Sequence, residues 1–127
     1  MTAPLNSYRE LTVWRDGIAL VKACYLVTRA FPKDELFGLT SQIRRSAVSV
    51  PANIAEGYGR GTRKDYVRHL MIAQGSLKEL ETHLIIAVEV GHTSQAGIDP
   101  ILGRCDQLGR GLGALIRSLR ARDAADT

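Results

Sequence analysis

Apolar residues return at steps of three and four along almost the whole chain, the spacing of helices with one buried face. In the first segment Leu11, Trp14, Ile18, Val21, Tyr25 and Thr28 form one such row, and Val13, Leu20, Cys24, Val27 and Phe31 form a second beside it. One row is enough to pack within a bundle. The surplus is expected to pack on another subunit. Pro32 ends this segment, and Asp34 is placed to cap the next helix. That helix carries Leu36, Leu39, Ile43, Ala47, Val50 and Ile54. Pro51 falls inside the pattern, where proline removes a backbone hydrogen bond and costs about 3 kcal/mol or more. Residues 52–56 continue the stripe, so a kink is expected rather than a break, with Ser46, Ser49 or water serving the freed carbonyls.

The run Gly57-Tyr58-Gly59-Arg60-Gly61 closes the second helix, and Thr62 with Asp65 gives the third a capping-box-like start. Its stripe is Tyr66, Leu70, Ala73, Leu77, Leu80, Leu84, then Ala87 or Val88, with Gly91 at the end. Ser94 is the expected cap of a fourth helix carrying Ile98, Leu102, Cys105, Leu108, Leu112, Leu115 and Leu119. Pro100 lies near its first turn, where proline is tolerated. Both termini read as frayed, the last over residues 123–127. No segment alternates with period two long enough to be a strand. Long helices on short turns predict an all-α, antiparallel, up-down-up-down four-helix bundle, a single domain over residues 1–127 with its core at about 8–121.

Size fits that reading: 127 residues make one domain able to fold without a staple. Hydrophobic residues at 45% and charged ones at 24% are ordinary values for a soluble globular chain. No apolar run nears the ~20 residues of a membrane span, and residues 1–7 lack the apolar stretch of a leader. Cys24 and Cys105 have no CxxC spacing and no histidine nearby in sequence. They read as reduced, buried thiols of a cytoplasmic protein.

The net charge of +4 and pI near 9.4 are mildly basic. Their distribution is more telling. Arg44, Arg45, Arg60, Arg63, Lys64 and Arg68 face only Glu56 and Asp65 within residues 44–68, an excess equal to that of the whole chain. Tyr58 and Tyr66 flank the cluster and are candidates to stack on bases. Helix four adds Arg110, Arg117, Arg120 and Arg122, the first two on one face. The bland alternative is a solvated surface of mixed charge. The glycine-rich turn lacks the lysine and hydroxyl of a phosphate loop and follows no strand, so it reads as a cap and turn. Weak anion binding at the start of helix three would draw on Arg60, Arg63 and Lys64.

Polar residues interrupt the apolar stripes: Gln42, Ser46, Ser49, Asn53, Glu56, Gln74, Ser76, Glu79 and Glu81. Buried polar groups need partners. A network between helices two and three is therefore expected, with Asn53, Glu56, Ser76 and Glu79 as its members and register as its purpose. No metal or cofactor is expected. Glu89 and His92 make one E-x-x-H spacing where a di-iron bundle needs two. His69 and His83 stand fourteen residues apart on one helix, about 21 Å. Arg63 and His69 fit the loose R-x(4–6)-H spacing of HEPN-type helical ribonucleases, with arginine on phosphate and histidine as acid or base. A first-turn surface arginine explains Arg63 as well.

Longer strings are more specific. Ser49-Val50-Pro51-Ala52-Asn53-Ile54-Ala55-Glu56-Gly57-Tyr58-Gly59-Arg60 is one, and Ala73-Gln74-Gly75-Ser76-Leu77-Lys78-Glu79-Leu80-Glu81-Thr82-His83-Leu84 is another. Trp14, Phe31-Pro32 and Leu39-Thr40-Ser41-Gln42-Ile43-Arg44-Arg45 agree in order and spacing. Over roughly residues 8–119 the chain resembles the four-helix-bundle proteins encoded in intervening sequences of bacterial 23S ribosomal RNA genes. The family is similar to the accessory variability protein of diversity-generating retroelements, a basic pentameric barrel that binds nucleic acid and a reverse transcriptase. The resemblance implies a homopentamer and supplies no catalytic residues to carry over, and it marks Asn53, Glu56 and Arg60 as special positions. His69 stands where the family tends to carry an aromatic or apolar residue, against the ribonuclease reading.

Three functions follow as expectations. A non-enzymatic homo-oligomer binding RNA or DNA through its basic surfaces would lose salt-sensitive binding on Arg60→Glu or Arg63→Glu. A protein-interaction adaptor would hold a protein partner after nuclease treatment. A ribonuclease would lose cleavage on His69→Ala.

Overall fold

The computed structural model describes residues 7–126. Four helices account for most of them: α1 (Thr12–Thr28), α2 (Leu39–Tyr58), α3 (Arg63–Glu89) and α4 (Gln95–Asp126), with short 3-10 turns at Tyr8–Glu10 and Lys33–Glu35. Each helix packs on the next and α4 returns against α1, giving the up-down-up-down four-helix bundle. Among the described residues there is no strand and no helix long and apolar enough to cross a membrane.

Leu20, Ile43, Ile54, Leu70, Leu84 and Leu112 are fully enclosed at the centre. Each such side chain contributes roughly 1.5–3 kcal/mol relative to an exposed one. Of the two apolar rows on α1, the second faces inward: Val13, Leu20 and Cys24 are buried, while Ile18 and Tyr25 are exposed. The orientation follows from Gly17 in the same buried row. A Cβ on Gly17 would sit 3.1 Å from the Cβ of Pro51. The proline ring therefore seats against bare backbone, and α1 and α2 approach closely there. Helix α2 runs unbroken through Pro51. Ser46 donates to the carbonyls of Gln42 and Ile43 at 2.9 and 3.2 Å, and Ser49 meets Ser76. Neither hydroxyl serves the carbonyl the proline frees.

The caps show local sequence at work. Thr62 Oγ1 accepts from the Asp65 amide at 3.2 Å, and Ser94 Oγ accepts from the Gly97 amide at 3.0 Å. Helix α3 ends in a Schellman motif, with His92 N–H on the Ala87 carbonyl at 2.9 Å and Gly91 N–H on that of Val88 at 3.0 Å. Gly91 takes the left-handed φ of +83° this ending requires. At the start of α2 the capping expectation is corrected: Glu35, not Asp34, accepts from the Leu39 amide, at 3.3 Å. A Cβ on Gly38 would lie 2.6 Å from that carboxylate oxygen. Leu36 is exposed, so the buried stripe of α2 starts beyond it. On α4 Ile101 and Ile116 are buried together with Ile98, Cys105, Leu108, Leu112 and Leu119, while Leu102 and Leu115 of the expected stripe lie at the margin. The end expected to fray is helical through Asp126, while residues 1–6 and 127 lie outside the described residues.

Cys24 and Cys105 are free, buried thiols. Burial pushes each up to about 12, helped for Cys24 by Cys105 and for Cys105 by Glu81. Neither is a thiolate at neutral pH.

Candidate nucleic-acid interface

The six basic residues singled out from sequence do not form one patch. Arg44 and Arg45 stand in the first half of α2, and the rest gather at the α2–α3 turn. Fifteen positions separate Arg45 from Arg60, about 22 Å along a helix.

At the turn, Gly59 caps α2 and Gly61 takes a φ of +89°, which reverses the chain in few residues. Arg60, Lys64 and Arg68 are exposed there. Arg68 lies 4.0 Å from Asp65, a loose pairing. Arg63 is engaged: it pairs with Asp126 and, at 3.4 Å, with Asp123, which brings the end of α4 onto the start of α3. Among the described residues no carboxylate is within pairing distance of Arg45, Arg60 or Lys64. The tyrosines expected to stack on bases are used otherwise. Tyr58 and Tyr66 meet edge to face at 6.0 Å. The Tyr66 hydroxyl is buried without a hydrogen-bond partner among the described residues, and burial pushes it up to about 12.

The seam between α2 and α3 holds a polar chain. Ser76 and Ser49 hydroxyls lie 2.8 Å apart. Asn53 Nδ2 donates to the Ser49 carbonyl at 2.8 Å and to its hydroxyl at 3.1 Å. Asn53 Oδ1 then faces His69 Nδ1 at 3.1 Å. Because the amide nitrogen is already donating, Oδ1 must accept and Nδ1 must carry the proton. The other ring nitrogen, His69 Nε2, is buried with no hydrogen-bond partner among the described residues. Glu56 and Glu79 are outside this chain. Glu56 is exposed, and Glu79 meets His83 on its own helix at 3.4 Å. His69, read from sequence only as a candidate acid or base, is the member the pattern does not reveal. Its position six residues after Arg63 puts the two about 120° apart around α3. His69 turns inward to Asn53 and Arg63 outward to Asp126, so the suspected ribonuclease pair forms no common site.

The seam between α3 and α4 is open. A groove of about 840 Å³ runs along it, floored by Gly75, Gly109 and Gly113 and edged by Lys78, Arg110 and Arg117. Arg110 pairs with Asp106 at 3.0 Å and Lys78 with Glu81 at 3.1 Å. Arg120 rests on the sulfur of Met71.

At the far end of the bundle, His92 Nε2 lies 2.7 Å from Glu35 Oε2. The hydrogen bond from His92, then that from the Leu39 amide, holds the Glu35 carboxyl below its ordinary range. Beyond this brace Phe37 is 94% exposed. Arg44 lies 4.5 Å over the Tyr25 ring, its Nε donating to Thr28 Oγ1 at 3.0 Å. Sequence periodicity places Leu36 in the core stripe and passes over Phe37. The Phe-Gly pair before the stripe is the available signal. Among the described residues no group of three His, Cys, Asp or Glu is placed to hold a metal.

Residues 9–114 match the model of the 23S rRNA-intervening sequence protein family. No curated protein matches the chain. A crystal structure from Bacteroides thetaiotaomicron VPI-5482, described as a protein of unknown function from the S23 ribosomal protein family, shares the fold with a TM-score of 0.74. It is 23% identical, and the match covers 83% of this chain and 98% of that one. On this family match across most of its length, the chain belongs to the 23S rRNA-intervening sequence proteins.

Proposed function

We propose that this is a non-enzymatic, homo-oligomeric protein that binds the phosphate backbone of RNA or DNA through its basic surfaces. The supporting observation is the set of exposed cations at and beside the α2–α3 turn, of which Arg60 and Lys64 have no carboxylate partner among the described residues. Phosphate contacts sum, so a few cations repeated around an oligomer give strong, salt-dependent binding. The outward apolar residues of α1 and α3, among them Ile18, Leu26, Ile72 and Ile86, support self-association. Five subunits follow from the resemblance to the retroelement accessory proteins.

Light scattering with a short structured RNA, at low and moderate salt, tests this reading. An oligomer that gains RNA mass at low salt and sheds it as salt rises is expected. Arg60→Glu with Lys64→Glu should weaken binding and flatten the salt slope by about one for each phosphate no longer neutralised, with the helical circular dichroism unchanged. An oligomer that takes no RNA at any salt sinks the reading and leaves a protein-interaction adaptor.

A further inference from the structure

A second basic site, away from the α2–α3 turn, lies where the α1–α2 connection enters α2. A shallow cavity of about 500 Å³ opens there, walled by Tyr25, Phe37, Ser41, Arg44, Arg45 and Val48. Ser41, Arg44 or Arg45, and Val48 recur at three- and four-residue steps on α2, and Phe37, in the turn before that helix, lines the same cavity.

Three features make the cavity specific. The Phe37 ring is 94% exposed, against 7% for Phe31 six residues earlier, so an apolar face is left open to solvent. The loop carrying it is braced: Glu35 reaches the Leu39 amide and His92, and Gly38 gives the carboxylate room. A ring on a fixed loop loses little freedom when a ligand covers it. Finally, the lining contains two arginines and no carboxylate. Arg44 is held by Tyr25 and Thr28 through its ring contact and Nε, and its terminal nitrogens have no protein partner among the described residues.

An aromatic platform beside one oriented guanidinium and a second, exposed one matches a flat, uncharged ring joined to an anion. We infer that this pocket receives an unpaired nucleotide of a single-stranded nucleic acid, its base stacked on Phe37 and its phosphate on Arg44 and Arg45. Duplex bases stack on one another and leave no face for Phe37, so the site selects unpaired strands. A second copy of this chain is the weaker fit, since covering two arginines without an anion carries a large desolvation cost. The inference rests on the proposed nucleic-acid binding and adds to it a preference and a place.

Fluorescence anisotropy with a labelled, unstructured short RNA, its DNA counterpart and a blunt RNA duplex of equal length tests it. Phe37→Ala should weaken single-strand binding about tenfold, the scale of one base–aromatic stack, and leave duplex binding unchanged. Phe37→Trp should keep the affinity and show quenching of the new indole on single-strand addition. Equal loss for duplex and single strand, or no loss with wild-type binding intact, overturns the pocket while nucleic-acid binding stands. Absence of binding by the wild type to any probe overturns both. A fall in oligomer mass in Phe37→Ala, with affinity per subunit unchanged, assigns the patch to a second copy and overturns the inference.

Discussion

The two flanks of α3 are built on opposite plans. Toward α2, glycine brings backbones together: a Cβ on Gly57 would lie 2.7 Å from His69 Cβ and 3.2 Å from Tyr66. A chain of hydrogen bonds from Ser76 to His69 fixes the register along that seam. Toward α4, glycine leaves space. A Cβ on Gly75 meets nothing within 4 Å, and one on Gly109 meets only Leu77, at 3.8 Å. The same residue type thus marks a close approach on one flank of α3 and open space on the other. Glycine in a helix is uninformative until its neighbours are known.

Substitution should separate the two plans by sign. Gly57→Ala should destabilise most, by about 3 kcal/mol, because the blocking atom is the root of His69 and cannot swing aside. A urea midpoint equal to wild type would remove the claim of close approach. Asn53→Ala comes next, at about 2 kcal/mol, since it strands the His69 N–H and frees Ser49. Equilibrium unfolding against the Asn53→Ala/His69→Leu pair checks it: the second change should cost less than it does alone. Gly75→Ala should stabilise by about 0.5–1 kcal/mol, through better helix propensity and a less flexible unfolded chain. A loss of stability there would show that the α3–α4 seam is closed by something in solution.

The smallest effect at neutral pH concerns the brace at the α1–α2 loop. Glu35 is held below its ordinary 4.5 when folded. Its contribution is therefore present in full above that value and is lost as pH falls through the lowered one. Thermal melts across the acid range should show this loss in the wild type and a flatter limb in Glu35→Gln. Parallel acid limbs would mean the His92 contact does not persist.

The bundle is legible in the sequence because helix period, caps and breakers agree in this chain. Thr62, Gly91 and Ser94 each do what their side chains or backbone freedom suggest. Choice between adjacent apolar rows is not legible. On α1 both rows are equally greasy, and the contact of Gly17 with Pro51, thirty-four positions away, decides which turns inward. On α4 isoleucines sit beside the leucines of the stripe, and the hand of the closing helix selects among them. The polar seam is half legible. Ser76 and Asn53 belong to it, but Glu56 and Glu79 reach solvent because their long side chains carry charge outward at little cost. His69 enters instead, its ring buried on the inward face of α3 with Nδ1 against the Asn53 amide oxygen. The basic residues are plain in the sequence as cations, but a tally of charges says nothing of which already have partners, as Arg63 does with Asp126.

The two enclosed thiols give this protein an internal clock. Cys24 on α1 and Cys105 on α4 are protonated and shielded, so a thiol reagent must wait for the closing pair of helices to part. At high reagent concentration the rate of labelling becomes the rate of opening itself. Comparing the two sites would then show whether α4, with its glycine-lined flank, swings away alone or the bundle comes apart at once.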